Sequence, residues 1–169
     1  MTERLRLLGR ETFASMRSRN FRLFFAGQGI SQVGNWMTLV AQSLLVLSLT
    51  DSGIALGLLA VAQFGPVLVL GPWAGLVADR SDKRRLLIVV QSLAMVQSLL
   101  LALVAFTGAA VWTVYAVALF GGFTVAFDNP ARRAFVVEMV PLDDVPNAVS
   151  LNSAIMTSSR VVGPALAGL

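Results

Sequence analysis

Gly75-Leu76-Val77-Ala78-Asp79-Arg80-Ser81-Asp82-Lys83-Arg84-Arg85 holds four cations and two acids in its last seven residues, the densest charge cluster in the chain. Long apolar stretches flank it on both sides. Charged side chains are strongly disfavoured in hydrocarbon, so the cluster reads as a tight loop between two membrane-crossing helices. Its excess of Lys and Arg places that loop on the cytoplasmic side.

The composition agrees. Of 169 residues, 56% are hydrophobic and only 13% charged, about half the roughly 25% charge of a soluble domain. The mean hydropathy is +0.76. A soluble fold of this size could bury one or two apolar helices but not most of its length, so the chain is expected to be an integral membrane protein.

The sequence contains no cysteine and no histidine. Disulfides, thiolate or imidazole metal sites and a histidine proton relay are thereby excluded, and no metal or other cofactor is expected. The basic residues form no stripe interleaved with aromatics, so nucleic acid is not an expected partner.

A helix needs roughly 20 apolar residues to cross the hydrocarbon core. Five stretches qualify or nearly so: 23–49, 54–78, 86–106, 111–127 and 148–169. The turns Thr50-Asp51-Ser52-Gly53 and Thr107-Gly108-Ala109-Ala110 carry no Lys or Arg. The N-terminal segment, the opening hairpin and the 129–146 connection carry twelve of the thirteen cations. Residues 1–22 are therefore expected to be a cytoplasmic basic segment, and 23–169 a multi-pass part in the inner (plasma) membrane. The basic, Phe-rich stretch Phe13 to Phe24 reads as an interfacial lead-in to the first span. Ala131 to Val140 reads as a short surface helix ended by Pro141. Asp143-Asp144 followed by Pro146 and Asn147 marks a new helix start.

Within the first span, Gln28, Ser31, Gln32, Asn35, Thr38 and Gln42 share an arc of about 120° at helical spacing. Such a stripe faces other helices or a wet cavity rather than lipid, and Gln28, Gln32, Asn35 and Gln42 are candidate substrate-cavity residues. Arg160 falls inside the fifth span. An ionised group there is a site for an anionic substrate group or a partner carboxylate by default.

The hairpin resembles the signature loop of the major facilitator superfamily, Gly-x-x-x-Asp, a base, any residue, Gly, then two bases. Gly75, Asp79, Arg80, Lys83 and Arg84 match, and Asp82 stands at the second Gly. Further segments are similar to the enterobactin-exporter and macrolide-efflux branch: Phe21 to Gln28, Gly34-Asn35-Trp36-Met37, Asp128 to Arg132, and Pro146 to Ser153. The resemblance implies an all-α membrane fold of twelve helices in two six-helix halves, of which this chain supplies about five helices of the first. The chain is expected to be a fragment or an interrupted reading frame.

The resemblance also implies that Asp79 contacts a helix of the missing C-terminal half as a cytoplasmic gate latch. From their places at the cytoplasmic helix ends, Asp79, Lys83 and Asp128 are expected to form a charge relay. Exporters of the superfamily carry Gly-x-x-x-Gly-Pro-x-x-Gly-Gly in the fifth helix, partly matched here by Ser159, Gly163, Pro164, Ala167 and Gly168, small residues that let helices pack closely. The arginine of many proton-coupled exporters is absent from the fourth helix, where Phe120-Gly121-Gly122-Phe123 stands instead. The expected small partners are a small-molecule substrate and protons as coupling ion.

Asp128-Asn129-Pro130-Ala131-Arg132 also has a faint likeness to the signature of membrane phosphatidyltransferases. Those enzymes need two further aspartates at helical spacing, and only the adjacent Asp143-Asp144 lies downstream. No enzyme activity is expected. The function implied is secondary export of an amphipathic molecule, drug or siderophore in class, by alternating access. The rival is a truncated membrane protein with no activity of its own.

Overall fold

In the computed structural model, residues 14–168 are described. The expected basic segment falls partly outside them: Arg4, Arg6, Arg10 and Phe13 are not among the described residues, and neither is Leu169.

Five α-helices follow a 3-10 turn at Ala14–Arg17: α1 (Arg19–Thr50), α2 (Gly53–Arg80), α3 (Lys83–Thr107), α4 (Val111–Glu138) and α5 (Val145–Ala167). The first four are long and apolar enough to cross a membrane. α5 is 23 residues long and more polar. Among the described residues every element is helical. This is the expected all-α membrane architecture.

Two boundaries differ from the sequence-based expectation. α1 starts at Arg19 and absorbs most of the lead-in expected to lie along the interface. α4 runs unbroken from Val111 to Glu138 with Pro130 inside it, so the separate surface helix expected over 131–140 is its last turns. Pro130 removes one backbone donor, a loss that membrane helices offset through neighbouring groups.

The connections show why the helices stop where they do. Two residues, Asp51 and Ser52, join α1 to α2. Asp51 takes a left-handed φ of 47°, a conformation Asp tolerates because its short side chain bonds locally. Ser81 and Asp82 join α2 to α3. Asp82 is the N-cap of α3, its carboxylate accepting the Arg85 amide at 2.8 Å. Its φ is −64°, so the turn does not need the glycine of the superfamily signature. α3 ends at Gly108 with φ 61°, whose amide donates to the Val104 carbonyl. A Leu142–Asp144 3-10 turn leads into α5, with Pro146 in its first turn.

The chain forms two compact units, one of Met1–Met37 with Phe135–Leu169 and one of Thr38–Ala134. In the first, Phe21, Val136, Val140, Ala148 and Leu151 make an apolar core. Phe24 meets Phe135 edge to face there, with centroids 5.4 Å apart. Ser15 ties down the entering chain, its amide donating to Asn147 Oδ1 at 3.1 Å and its hydroxyl to the Asp144 carbonyl at 3.0 Å. In the second unit the core is Val46, Ala55, Leu59, Leu101, Val114, Val117 and Ala118. The Tyr115 hydroxyl donates to the Ala55 carbonyl at 3.2 Å across that core.

Large apolar side chains cover much of the outside: Phe106, Leu68 and Ile54 are each 80% exposed or more. Patches on this scale are rare on soluble monomers and mark membrane or protein contact.

Candidate functional site

The polar stripe of α1 is drawn inward at three positions. In the first unit Gln28 is buried and its side-chain amide donates to Asn152 Oδ1 on α5. Gln32, also buried, accepts from Asn35 Nδ2 at 3.1 Å, whereas Asn35 itself is exposed. In the second unit Gln42 is fully buried and accepts from Gln63 Nε2 of α2. Among the described residues Gln42 Nε2 has no partner. Gln28 and Gln42 thus make interhelical amide bonds, and Asn35 is the stripe member open to the outside.

Asp128 is buried near the end of α4. Arg132, one helical turn on, grips it with both nitrogens: Nε donates to Oδ2 at 2.9 Å and Nη2 to Oδ1 at 2.8 Å. Gln91 of α3 donates to Oδ1 at 3.2 Å. Two oxygens therefore receive three hydrogen bonds, and Arg132 is as buried as its partner. The expected relay runs from Asp79 through Lys83 to Asp128; Arg132 and Gln91 bond the Asp128 carboxylate. The Asp128-to-Arg132 spacing of four residues was visible in the sequence and is the one signal that identifies this pair. Gln91 carried no such signal.

The hairpin residues lie together at one end of their helices. Asp79 and Arg80 close α2 and are exposed; Lys83 opens α3, half-buried, followed by exposed Arg84. Gly75 lies one turn before Asp79, and a Cβ built on it meets nothing within 4 Å. That open face leaves room for close approach by another helix.

On α5, Ser159 and Gly163 are buried on the face that carries Asn152. A Cβ on Gly163 would collide with the Cβ of Trp36 and lie 2.9 Å from the Val33 carbonyl, so only glycine allows this approach of α5 to α1. Pro164 and Ala167 are half-buried, and Gly168 caps the helix with its amide on the Pro164 carbonyl. Arg160 is exposed, its guanidinium carbon 5.6 Å from the centroid of the Trp36 ring. Trp36 was not singled out in the sequence as a partner for this arginine. In the second unit, Gly122 packs α4 against α2: a Cβ there would lie 2.5 Å from the Gln63 carbonyl and 2.9 Å from Pro66 Cγ. Among the described residues no cluster of His, Cys, Asp or Glu could hold a metal ion.

Four long apolar helices joined by short turns fit a multi-pass membrane protein. The chain belongs to the transmembrane secretion effector family of the major facilitator superfamily, whose sequence profile matches residues 10–169. It is similar to the staphyloferrin A transporter of Staphylococcus aureus, 31% identical over 88% of this chain and 38% of that protein. It is also similar to an uncharacterized MFS-type transporter of Bacillus subtilis, 31% identical over 85% of this chain and 34% of that one. Macrolide efflux protein A of Streptococcus pyogenes is 27% identical over 88% of this chain and 37% of its own length. The chain therefore spans little more than a third of the curated relatives it matches. No solved structure matches it.

Proposed function

We propose that the chain is the N-terminal part of a secondary transporter that exports an amphipathic small molecule by alternating access. The observation that carries this reading is the buried Asp128–Arg132–Gln91 cluster at one end of long apolar spans. Ionisable groups inside membrane segments are costly, and they mark substrate paths, ion paths and gates.

In this reading the N-terminus and the hairpin lie in the cytoplasm, and the membrane is the plasma (inner) membrane. Gly75, Asp79, Arg80, Lys83 and Arg84 form the gate surface. Asp79 accepts hydrogen bonds from the start of a helix in a second half, where amides and the helix dipole favour an anion. Asp128 is the fixed end of the gate, held by Arg132 and Gln91. In the first unit Asn35 and Arg160 face the substrate cavity, and Gln28 and Gln32 hold its wall. Relatives named for staphyloferrin A and for macrolides support a substrate of siderophore or drug class. Protons supply the driving force in this scheme, and within this segment, which has no histidine, a carboxylate would carry them.

Alternating access needs two halves rocking about a midplane site. Purified Met1–Leu169 in liposomes is therefore expected to show no substrate-dependent flux, whereas the same segment followed by a second helical half moves substrate. Robust flux through the segment alone overturns the proposal.

A further inference from the structure

We infer that Arg160 and Trp36 form a subsite for the carboxylate of an amphipathic substrate; the inference rests on the transport reading above and gives the substrate's chemical class. α5 has two unlike faces. Ala148, Leu151, Asn152, Ser159 and Gly163 are buried. Ser150, Ser153, Thr157 and Arg160 are exposed and, at helical spacing, share an arc of about 80° on another side. The hydroxyls of Ser150 and Ser153 bond back to the Pro146 and Val149 carbonyls at 2.8 and 2.9 Å, so these two could face lipid at little cost. Arg160 could not. With α5 crossing the membrane from Ala148, as the transport reading has it, Arg160 lies about 18 Å along the helix at 1.5 Å per residue, inside a hydrocarbon core of about 30 Å. In that reading this stripe faces water or substrate.

The contact that Arg160 makes decides what it can bind. Its guanidinium rests over the Trp36 ring, within the roughly 6 Å reach of a cation–π interaction. Trp36 is in turn seated against Gly163, where any side chain would collide. Among the described residues Arg160 has this ring contact and no hydrogen bond, so its five N–H donors are unspent. Among the described residues no carboxylate pairs with Arg160. A planar cation held beside a ring with its donor fork free matches the two oxygens of a carboxylate. The ring edge beside it offers an apolar surface to the rest of the molecule.

The test uses the full chain in nanodiscs of uncharged lipid, in a W73F/W112F background where Trp36 is the sole tryptophan. The probes are a bromonaphthoate and its methyl ester, alike in size and shape, read by quenching of Trp36 fluorescence. The carboxylate is expected to half-saturate at about tenfold lower concentration than the ester, as a bidentate charge-assisted contact predicts. R160Q should abolish that preference and leave the ester unchanged. R160K, which keeps the charge and loses the fork, should retain about threefold or less. Thermal melts by circular dichroism establish that each variant folds; if R160Q does not, R160K alone decides. Equal binding of both probes to the parent protein, binding of neither, or an R160K preference equal to the parent's overturns the inference. Efflux assays on cells separate the two readings. Export without any carboxylate preference removes the subsite and keeps the transporter. Arg160-dependent binding with no export by any longer form removes the transporter and keeps the subsite.

Discussion

Replacing Asp128 with Leu should be among the most damaging single changes in the chain, and replacing Arg132 at the same time should largely undo it. Arg132 is 3% exposed, and its side chain makes two hydrogen bonds to Asp128, at 2.8 and 2.9 Å. Without the carboxylate, the guanidinium stays buried with its charge unanswered. Removing one member of a buried ion pair costs about 3–5 kcal/mol, whereas exchanging both members for apolar residues of similar volume is often neutral or stabilising. Gln91 would also lose its 3.2 Å bond to Asp128, adding about 1 kcal/mol where its amide finds no water. D128L should therefore lower stability by about 4–6 kcal/mol, and D128L/R132M should fall within about 1–2 kcal/mol of the parent. The assay is reversible unfolding in mixed micelles with increasing denaturing detergent, followed by helical circular dichroism. At 169 residues, each kcal/mol also moves a melting midpoint by about 2–4 °C. A D128L loss below about 1 kcal/mol, or a double variant as unstable as the single, would refute the buried-pair argument.

Gly122→Ala should cost about 1–3 kcal/mol by overpacking, because the new methyl meets backbone carbonyls that cannot swing aside. Gly71→Ala, where the Cβ meets nothing, should instead stabilise by up to about 1 kcal/mol through helix propensity; the same micelle titration compares them, and equal losses contradict the packing. Gln28→Leu should cost about 1–3 kcal/mol by stranding the buried Asn152 amide, and adding Asn152→Leu should recover most of it. Asp79→Asn should leave stability within about 0.5 kcal/mol, as for an exposed surface change, while a full-length relative with the matching change loses flux; unchanged flux in the relative removes Asp79 from the gate.

The helical architecture was legible because hydrocarbon imposes a length and an apolar composition on anything that crosses it. Alternation of basic and cation-free turns then marked the connections, and the two-residue turns at Asp51 and Asp82 are where that reading placed them. Asp82 shows why a missing glycine did not matter: a side-chain cap stabilises the turn without a left-handed backbone. The end of α4 was less legible. The apolar run stops at Phe127, before Asp128, yet the helix continues to Glu138 with Pro130 inside it. Partner choice was the least legible layer. Asp128 and Arg132 are linked by local spacing, but the Gln28–Asn152 and Gln42–Gln63 bonds are made between residues 124 and 21 positions apart. Nothing in either amide's neighbourhood along the chain names its mate. Trp36 is hidden for the same reason: its contact with Arg160 depends on the glycine at 163.

The length of α4 has a consequence for the lipid around it. At 1.5 Å per residue its 28 residues extend about 42 Å, some 12 Å more than a typical hydrocarbon core. Counted from Val111, Asp128 and Arg132 stand about 26 and 32 Å along the axis, at the far rim of such a core. The pair thus works as a depth gauge. A thicker bilayer would draw it into hydrocarbon and tighten it, while a thinner one would let water reach it and loosen its grip. Acyl-chain length becomes a means of tuning this end of the protein without altering a residue.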